Sequence, residues 1–337
     1  MPRIRFSADA LEVEAADGDW LYDVCVDARA SIPFSCKAGA CGTCATEVID
    51  ATGLGAPTAR ELRTLSAAGL DPARIRLPCL HSVEGDIVFG RPVSATTKAT
   101  ELPSRMAEVE SLRRLNQTVC EVRFYVGDGF SFRPGQYVVF QIPSSDGREV
   151  IRRSYSISTP PSDEKHLEIC VRAVAGGFGS NWVHRLRRGQ EVRVEGPLGD
   201  FTLQDGDREA LFVATGTGVS PIKSMLMHLL DQRSNRRSRL FFGVRTTQDL
   251  FYTDFLRGLE AHYPAFEART ILSSPDPTQW AGRRGRVTDL IESLVTPAEA
   301  AITDAYLCGS QAMIVDAARK LEAKGLARER IHHENFY

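Results

Sequence analysis

The period of hydrophobic and polar positions changes twice along the chain. Residues 3–6 and 11–15 alternate apolar with polar, as the two arms of a short hairpin do, and residues 20–28 carry helical spacing. A strand over 44–49, a second helix over 58–67 and a closing strand over 82–89 complete this first region. Beyond residue 105 the chain turns to short strands about ten residues apart, punctuated by Pro and Gly, at 106–112, 118–126, 136–142, 153–158, 167–174 and 191–194. Regular strands of this kind predict a small antiparallel barrel. After about residue 207, strands at 211–214, 240–244, 268–272 and 305–308 alternate with helices at 221–230, 249–260, 287–294 and 311–323. That alternation predicts a parallel α/β sheet.

A chain of 337 residues exceeds one comfortable core. Three domains are expected, at 1–94, 103–204 and 207–337, with the Pro-, Ser- and Thr-containing segment 91–104 as a linker. Hydrophobic residues make up 43% and charged residues 25%, ordinary for a globular protein. A net charge of −2 gives no electrostatic case for nucleic acid or an anionic membrane as partner. No apolar run approaches a membrane span, and the expected location is cytoplasmic. Eight cysteines in such a setting read as ligands and buried thiols rather than disulfides.

The thiols are unevenly spaced. Cys36, Cys41 and Cys44 stand at C-x4-C-x2-C in a loop of small residues, with Cys79 further on, which is the plant-type spacing for a [2Fe-2S] cluster. Ala38, Gly39, Ala40 and Gly42 let the backbone curl close enough to aim N–H groups at the sulfurs. Structural zinc prefers two short ligand pairs, and only Cys41 and Cys44 form one. A Rieske centre needs two histidines, which the loop lacks. From Asp23 through the loop to Leu77-Pro78-Cys79, roughly the first ninety residues resemble a plant-type ferredoxin domain, which implies a β-grasp-like fold with Cys79 as fourth ligand. Cys25, in a helical pattern with apolar neighbours, is expected to be a core residue, as are Cys120 and Cys170.

In the barrel region, Arg153-Ser154-Tyr155-Ser156 sets a cation, an aromatic ring and a hydroxyl on one strand. This set suits a ligand with both a phosphate and a planar ring. Gly176-Gly177-Phe178-Gly179-Ser180 could admit a pyrophosphate to the backbone. With Pro134-Gly135-Gln136-Tyr137 and Glu195-Gly196-Pro197-Leu198-Gly199, these segments resemble the flavin domain of the ferredoxin–NAD(P)+ reductase superfamily. The resemblance implies that Arg153 holds phosphate, Tyr155 packs on the isoalloxazine, Ser156 bonds its reactive edge, and Gly177 and Ser180 hold the pyrophosphate of FAD.

Strand 211–214 runs into Thr215-Gly216-Thr217-Gly218-Val219-Ser220-Pro221, where Ser220 and Pro221 are expected as N-cap and first helical residue. A glycine turn between a strand and a helix attracts phosphate through unpaired amides. The six-residue dinucleotide fingerprint is absent, and Gly216-x-Gly218-x-x-Pro221 instead resembles the superfamily's own turn. Its counterpart is Cys308-Gly309 at the end of a later strand, which the resemblance places by the nicotinamide. By the same resemblance Arg245, which follows the second strand, falls near the adenosine ribose. The resemblance also implies that Glu334 and an aromatic beside it, Phe336 or else Tyr337, belong to the flavin site.

The three regions describe one electron path from NADH through FAD to the cluster, since a hydride carries two electrons and a [2Fe-2S] cluster accepts one at a time. In order and length the chain resembles the reductase component of multicomponent bacterial oxygenases, which implies a terminal oxygenase as partner. The same architecture serves a deoxysugar dehydrase reductase. A redox-sensing nucleotide- and metal-binding protein without turnover is the alternative from another class. The combination of Arg153, Tyr155, Ser156, Gly216, Gly218 and Cys308 speaks against it, because regulation alone needs no hydride site.

Overall fold

The structure, a computed structural model, describes residues 1–34, 39, 42–93, 103–144 and 150–335, with backbone only at residue 335. Proximity of Cα positions divides the chain into two units, Met1–Ser104 with Val139–Ser154 and Arg105–Val138 with Tyr155–Tyr337.

The first unit carries β1 (Arg3–Phe6), β2 (Leu11–Glu14), α1 (Leu21–Asp27), β3 (Thr46–Asp50), α2 (Ala59–Ala67), β4 (Ile75–Arg76) and β5 (Ile87–Pro92). Their sheet runs β2-β1-β5-β3-β4, with β1 and β5 parallel and β1/β2, β3/β4 and β3/β5 antiparallel. This mixed sheet with two helices is the expected β-grasp-like arrangement. Alternation in β1 sends Ile4 and Phe6 inward, where Phe6 stacks on Phe89 at 5.7 Å, and leaves Arg3 and Arg5 outside. Thr58 caps α2 by accepting from Glu61 N at 3.1 Å. The closing strand begins at Ile87 rather than at residue 82, because Ser82 makes only an isolated bridge to Trp20 and Glu84 N bonds Gly53 O across a loop.

The barrel strands are β6 (Ser104–Arg114), β7 (Val119–Tyr125), β8 (Tyr137–Pro143), β9 (Val150–Ser156), β10 (His166–Arg172) and β11 (Glu191–Leu198), with a short α3 (Phe178–Val183) between the last two. In the second unit β10-β7-β6-β11 lie side by side, and β10/β7 and β6/β7 are antiparallel. Past Ser156 an Ile157–Ile169 bridge and a 2.8 Å bond from Ser158 N to Glu168 O lay the chain beside β10.

The remainder comprises β12 (Glu209–Thr215), α4 (Val219–Asp231), β13 (Ser238–Val244), α5 (Thr253–His262), β14 (Phe266–Leu272), β15 (Arg283–Arg284), α6 (Val287–Leu294), α7 (Pro297–Ala301), β16 (Thr303–Gly309), α8 (Gln311–Ala323) and β17 (Ile331–Asn335). The sheet order is β15-β14-β13-β12-β16-β17, parallel throughout. Both faces are covered: Phe212 and Ala214 pack with residues of α4 and α5, and Leu211 and Val213 with residues of α6 and α8. The chain leaves β12 toward β13 on one side and returns to β16 on the other, so the crevice beyond the carboxyl ends of β12 and β16 is a topological switch point.

Two expectations need correction here. The helix expected over 249–260 begins at Thr253, because Asp249 is spent capping a preceding turn, where its carboxylate accepts from Thr246 N at 2.9 Å and Thr246 Oγ1 at 2.8 Å. Ser220 and Pro221 are not N-cap and first residue of α4. Helical geometry starts at Val219, after a 3₁₀ turn over Gly216–Gly218. Among the described residues no helix is long and apolar enough to cross a membrane.

Candidate active site and cluster ligands

Cys44 and Cys79 are buried, and their Sγ atoms stand 3.2 Å apart. Two thiols converging at this distance fit a shared iron–sulfur group, whereas core packing alone does not bring sulfurs so close. The other two expected ligands, Cys36 and Cys41, lie outside the described residues. Gly39 and Gly42 take φ values of +70° and +66°, and a Cβ at Gly39 would lie 2.4 Å from Leu80 Cδ1. The segment around Cys79 is braced from both sides: Trp20 Nε1 donates to Cys79 O at 3.0 Å, and the buried Glu61 accepts from Leu77 N at 2.6 Å and from Arg76 Nε at 3.0 Å. From the same face of α2, Thr64 Oγ1 donates to Gly39 O at 2.6 Å. Cys25 is fully buried in α1, and burial together with the neighbouring Cys44 pushes its thiol pKa well above the ordinary value.

A second convergence lies in the other unit. Ser156, at the end of β9, donates through Oγ to Glu334 Oε2 at 3.1 Å, and its carbonyl accepts from Ser220 Oγ at 3.2 Å. Glu334 sits on β17 directly opposite Cys308 on β16. Cys308 is completely buried, and burial together with the charge of Glu334 holds its thiol well above the ordinary pKa. Tyr155 precedes Ser156 on β9 and is half-buried. Arg153, on the same strand, donates from Nη1 to Arg152 O at 2.8 Å. Gly177 is the N-cap of α3, and Ser180 Oγ accepts from Val174 N at 3.1 Å, so this hydroxyl closes the glycine turn. Phe336 and Tyr337 lie outside the described residues.

The nucleotide turn is compact by necessity. Gly216 has φ +53°, a Cβ at Gly218 would lie 2.3 Å from Cys308 O, and a Cβ at Gly309 would lie 2.1 Å from Thr215 Oγ1. These glycines let the two strand ends touch, backbone to backbone, at the switch point. Beside them opens a cleft of about 840 Å³ lined by Thr215, Gly216, Thr217, Arg245, Gly309 and Ser310. Its volume and its glycine-lined floor suit a dinucleotide. Pro221 is buried within α4, behind the turn rather than in this lining. Arg172, Ser273, Ser274 and Arg286 also line the cleft, and the last three were missed in the sequence. Arg172 comes from barrel strand β10 and reaches Asp249 Oδ1 at 3.2 Å.

The sequence reading also missed a buried charge group beside the site. Lys223 on α4 donates through Nζ to Glu121 Oε2 at 3.0 Å and to Glu168 Oε1. Tyr252 OH donates to Glu121 Oε2 at 2.6 Å, and Arg113 Nη2 to Glu121 Oε1 at 2.6 Å. Burial alone would raise the Glu121 pKa, but the Lys223 charge and the hydrogen bonds from Tyr252 and Arg113 hold it down to about 2. Glu168 is raised by burial and by the neighbouring Glu121 charge, against the pull of Lys223. A signal was present in the sequence: Glu121 interrupts the apolar run of β7, Glu168 that of β10, and Lys223 that of α4.

Three family models match successive parts of the chain. Residues 6–84 match the 2Fe-2S iron-sulfur cluster binding domain, 107–203 the oxidoreductase FAD-binding domain and 212–319 the oxidoreductase NAD-binding domain. The xylene/toluene monooxygenase electron transfer component XylA of Pseudomonas putida is 30% identical over 320 residues, spanning 91% of this chain and 85% of that protein. The chain belongs to the family of oxygenase reductase components. Another relative, the phenol hydroxylase P5 protein of Acinetobacter pittii, is 29% identical over 96% of this chain and 91% of its own length. Among solved structures, the Amycolatopsis cytochrome P450 reductase GcoB superposes with a TM-score of 0.66 at 26% identity, covering 100% of this chain and 99% of that one. As a member of this family of oxidoreductases, the chain combines the parts for electron transfer between a nicotinamide nucleotide, FAD and a [2Fe-2S] cluster.

Proposed function

We propose that this protein takes a hydride from NADH and delivers electrons singly to a terminal oxygenase component, working in the cytoplasm through three domains bounded at 1–94, 103–204 and 207–337. The observation that carries the reading is the convergence of Ser156, Cys308 and Glu334 beside the Gly216–Gly218 turn, a hydroxyl, a thiol and a carboxylate gathered where the barrel and the parallel sheet meet, next to the cleft at the switch point. FAD, when bound, accepts the two electrons together and passes them on one at a time.

The residues divide the work. Arg153 would hold a phosphate of the flavin, Gly177 and Ser180 would hold its pyrophosphate, and Tyr155 would pack on its ring. Ser156 donates its hydroxyl hydrogen bond to Glu334, so its oxygen would be an acceptor for a donor group of the flavin. Cys308, completely buried and kept as a neutral thiol, packs its carbonyl under Gly218 and would put no negative charge beside the nicotinamide. Thr215, Gly216, Thr217, Gly218 and Gly309 hold the nucleotide's pyrophosphate and nicotinamide, with Pro221 fixing the first turn of α4 behind them. Arg245 would meet the adenosine ribose, and Phe336 is assigned to the flavin. Cys36, Cys41, Cys44 and Cys79 bind the cluster, the one-electron exit.

Anaerobic addition of NADH to the full-length protein tests this. Flavin absorbance should bleach, and the EPR signal of a reduced [2Fe-2S] cluster should follow. A flavin that NADH leaves oxidised, or iron without acid-labile sulfide, would sink the proposal.

A further inference from the structure

Stability alone is a weak reason for a buried charge group. Exchanging a buried ion network for apolar side chains of similar volume is often neutral or stabilising, and α4 already packs through Ile222, Met225 and Leu226. What a charge group adds over an apolar contact is direction. Lys223 sits one helical turn after Ser220, and the two residues grip the flavin barrel at two points. Ser220 Oγ reaches Ser156 O, and Lys223 Nζ reaches Glu168, whose Oε1 also accepts from Ser158 Oγ at 2.9 Å. Ser156 and Ser158 lie two residues apart. Thus the helix that opens with the nucleotide turn is tied to the backbone and the side-chain partner of one short barrel segment. Tyr252 completes the group from a left-handed conformation, φ +59°, which non-glycine residues rarely adopt and which the bond to Glu121 helps to hold.

We propose that Lys223, acting through Glu168 and Glu121, is a positioning residue that sets the separation between Ser156 at the flavin edge and the Gly216–Gly218 turn. The inference rests on the hydride-transfer reading above. It predicts that Lys223 governs the rate of hydride transfer and not the affinity for nucleotide, since its atoms face the barrel rather than the cleft lining.

Stopped-flow reduction of the full-length holoprotein by NADH under anaerobic conditions tests it. Lys223→Met should lower the limiting rate of flavin reduction about 10- to 100-fold, the scale of a misplacement near 1 Å, while the NADH dissociation constant moves less than about threefold. The long-wavelength charge-transfer absorbance between nicotinamide and flavin should weaken in parallel. Lys223→Arg, which keeps the charge, should recover the rate to within about threefold of wild type. Should Lys223→Met fail to retain FAD, Ser158→Ala decides, with an expected loss of about threefold to tenfold. A limiting rate in Lys223→Met equal to wild type overturns the inference, as does Lys223→Arg as slow as Lys223→Met, or an unaltered rate in Ser158→Ala when that variant has to decide. Wild-type protein that NADH does not reduce overturns instead the hydride reading on which the inference stands.

Discussion

The cluster region and the hydride region solve the same problem, holding a redox group, by opposite means. Near Cys44 and Cys79 the site is made of side-chain type: thiols on a loop, braced locally by α2 through Glu61 and Thr64. Near Ser156 and Glu334 it is made of topology: strand ends from the barrel and the parallel sheet meet where glycines remove the Cβ atoms that would keep them apart. A site of the first kind fails when a ligand atom is removed. The second kind fails when backbone separations change, even if every polar atom remains.

Substitutions should separate the two modes. The largest effect is expected from Cys79→Ser, which should remove the cluster and lower electron delivery to a protein acceptor by at least about 100-fold, while NADH-driven reduction of ferricyanide continues. Visible absorption, EPR and the two assays together check it, and loss of the ferricyanide activity would break the proposed independence of the regions. Next comes Gly218→Ala, which adds no polar atom but drives a Cβ to within 2.3 Å of Cys308 O. It should cut kcat/KM for NADH about 10- to 100-fold with the cluster's EPR spectrum unchanged.

A smaller difference is expected between coenzymes. Arg245 stands alone after β13 and Asp249 follows closely, so kcat/KM should favour NADH over NADPH by a factor of about ten. A preference for NADPH would reassign Arg245 to a phosphate contact. Acid stability offers a subtler test. Glu121, depressed to about 2, contributes stability that is present above its ordinary value of 4.5 and is lost as pH falls toward 2. Glu168, being raised, works with the opposite sign, so Glu121→Gln isolates the first effect and should flatten the loss of unfolding free energy between those pH values, as followed by denaturant titration. Smallest of all, Cys25→Ser should keep the cluster and cost about 1–2 kcal/mol in unfolding free energy, the expense of a hydroxyl in a dry core.

The two regions also differed in how far they could be read from sequence. Ligand thiols announce themselves by spacing, and the β-grasp-like arrangement was legible through the resemblance that those thiols carry, with the hairpin alternation supplying only β1 and β2. The nucleotide turn was visible as glycines, but the start of α4 was not, since Ser220 has the composition of a cap and is used to bond Ser156 O instead. Strand β17 was missed because Ile331-His332-His333-Glu334-Asn335 has no apolar alternation, and its backbone pairing with β16 is a tertiary fact. Helices α3 and α7 are too short for a periodic signal. Lys223, Glu121 and Glu168 were visible as isolated charges in apolar runs, yet nothing local says that they meet.

The bond from Ser156 to Glu334 joins residues 178 positions apart, and Glu334 lies on an edge strand. Closing so long a loop costs entropy that short-range elements do not bear, and long-range parallel pairing is slow. During refolding, helical signal should therefore return well before the chain regains its reaction with NADH. Cys44 and Cys79 meet across only 35 positions, whereas reaction with NADH waits for the final stage of folding.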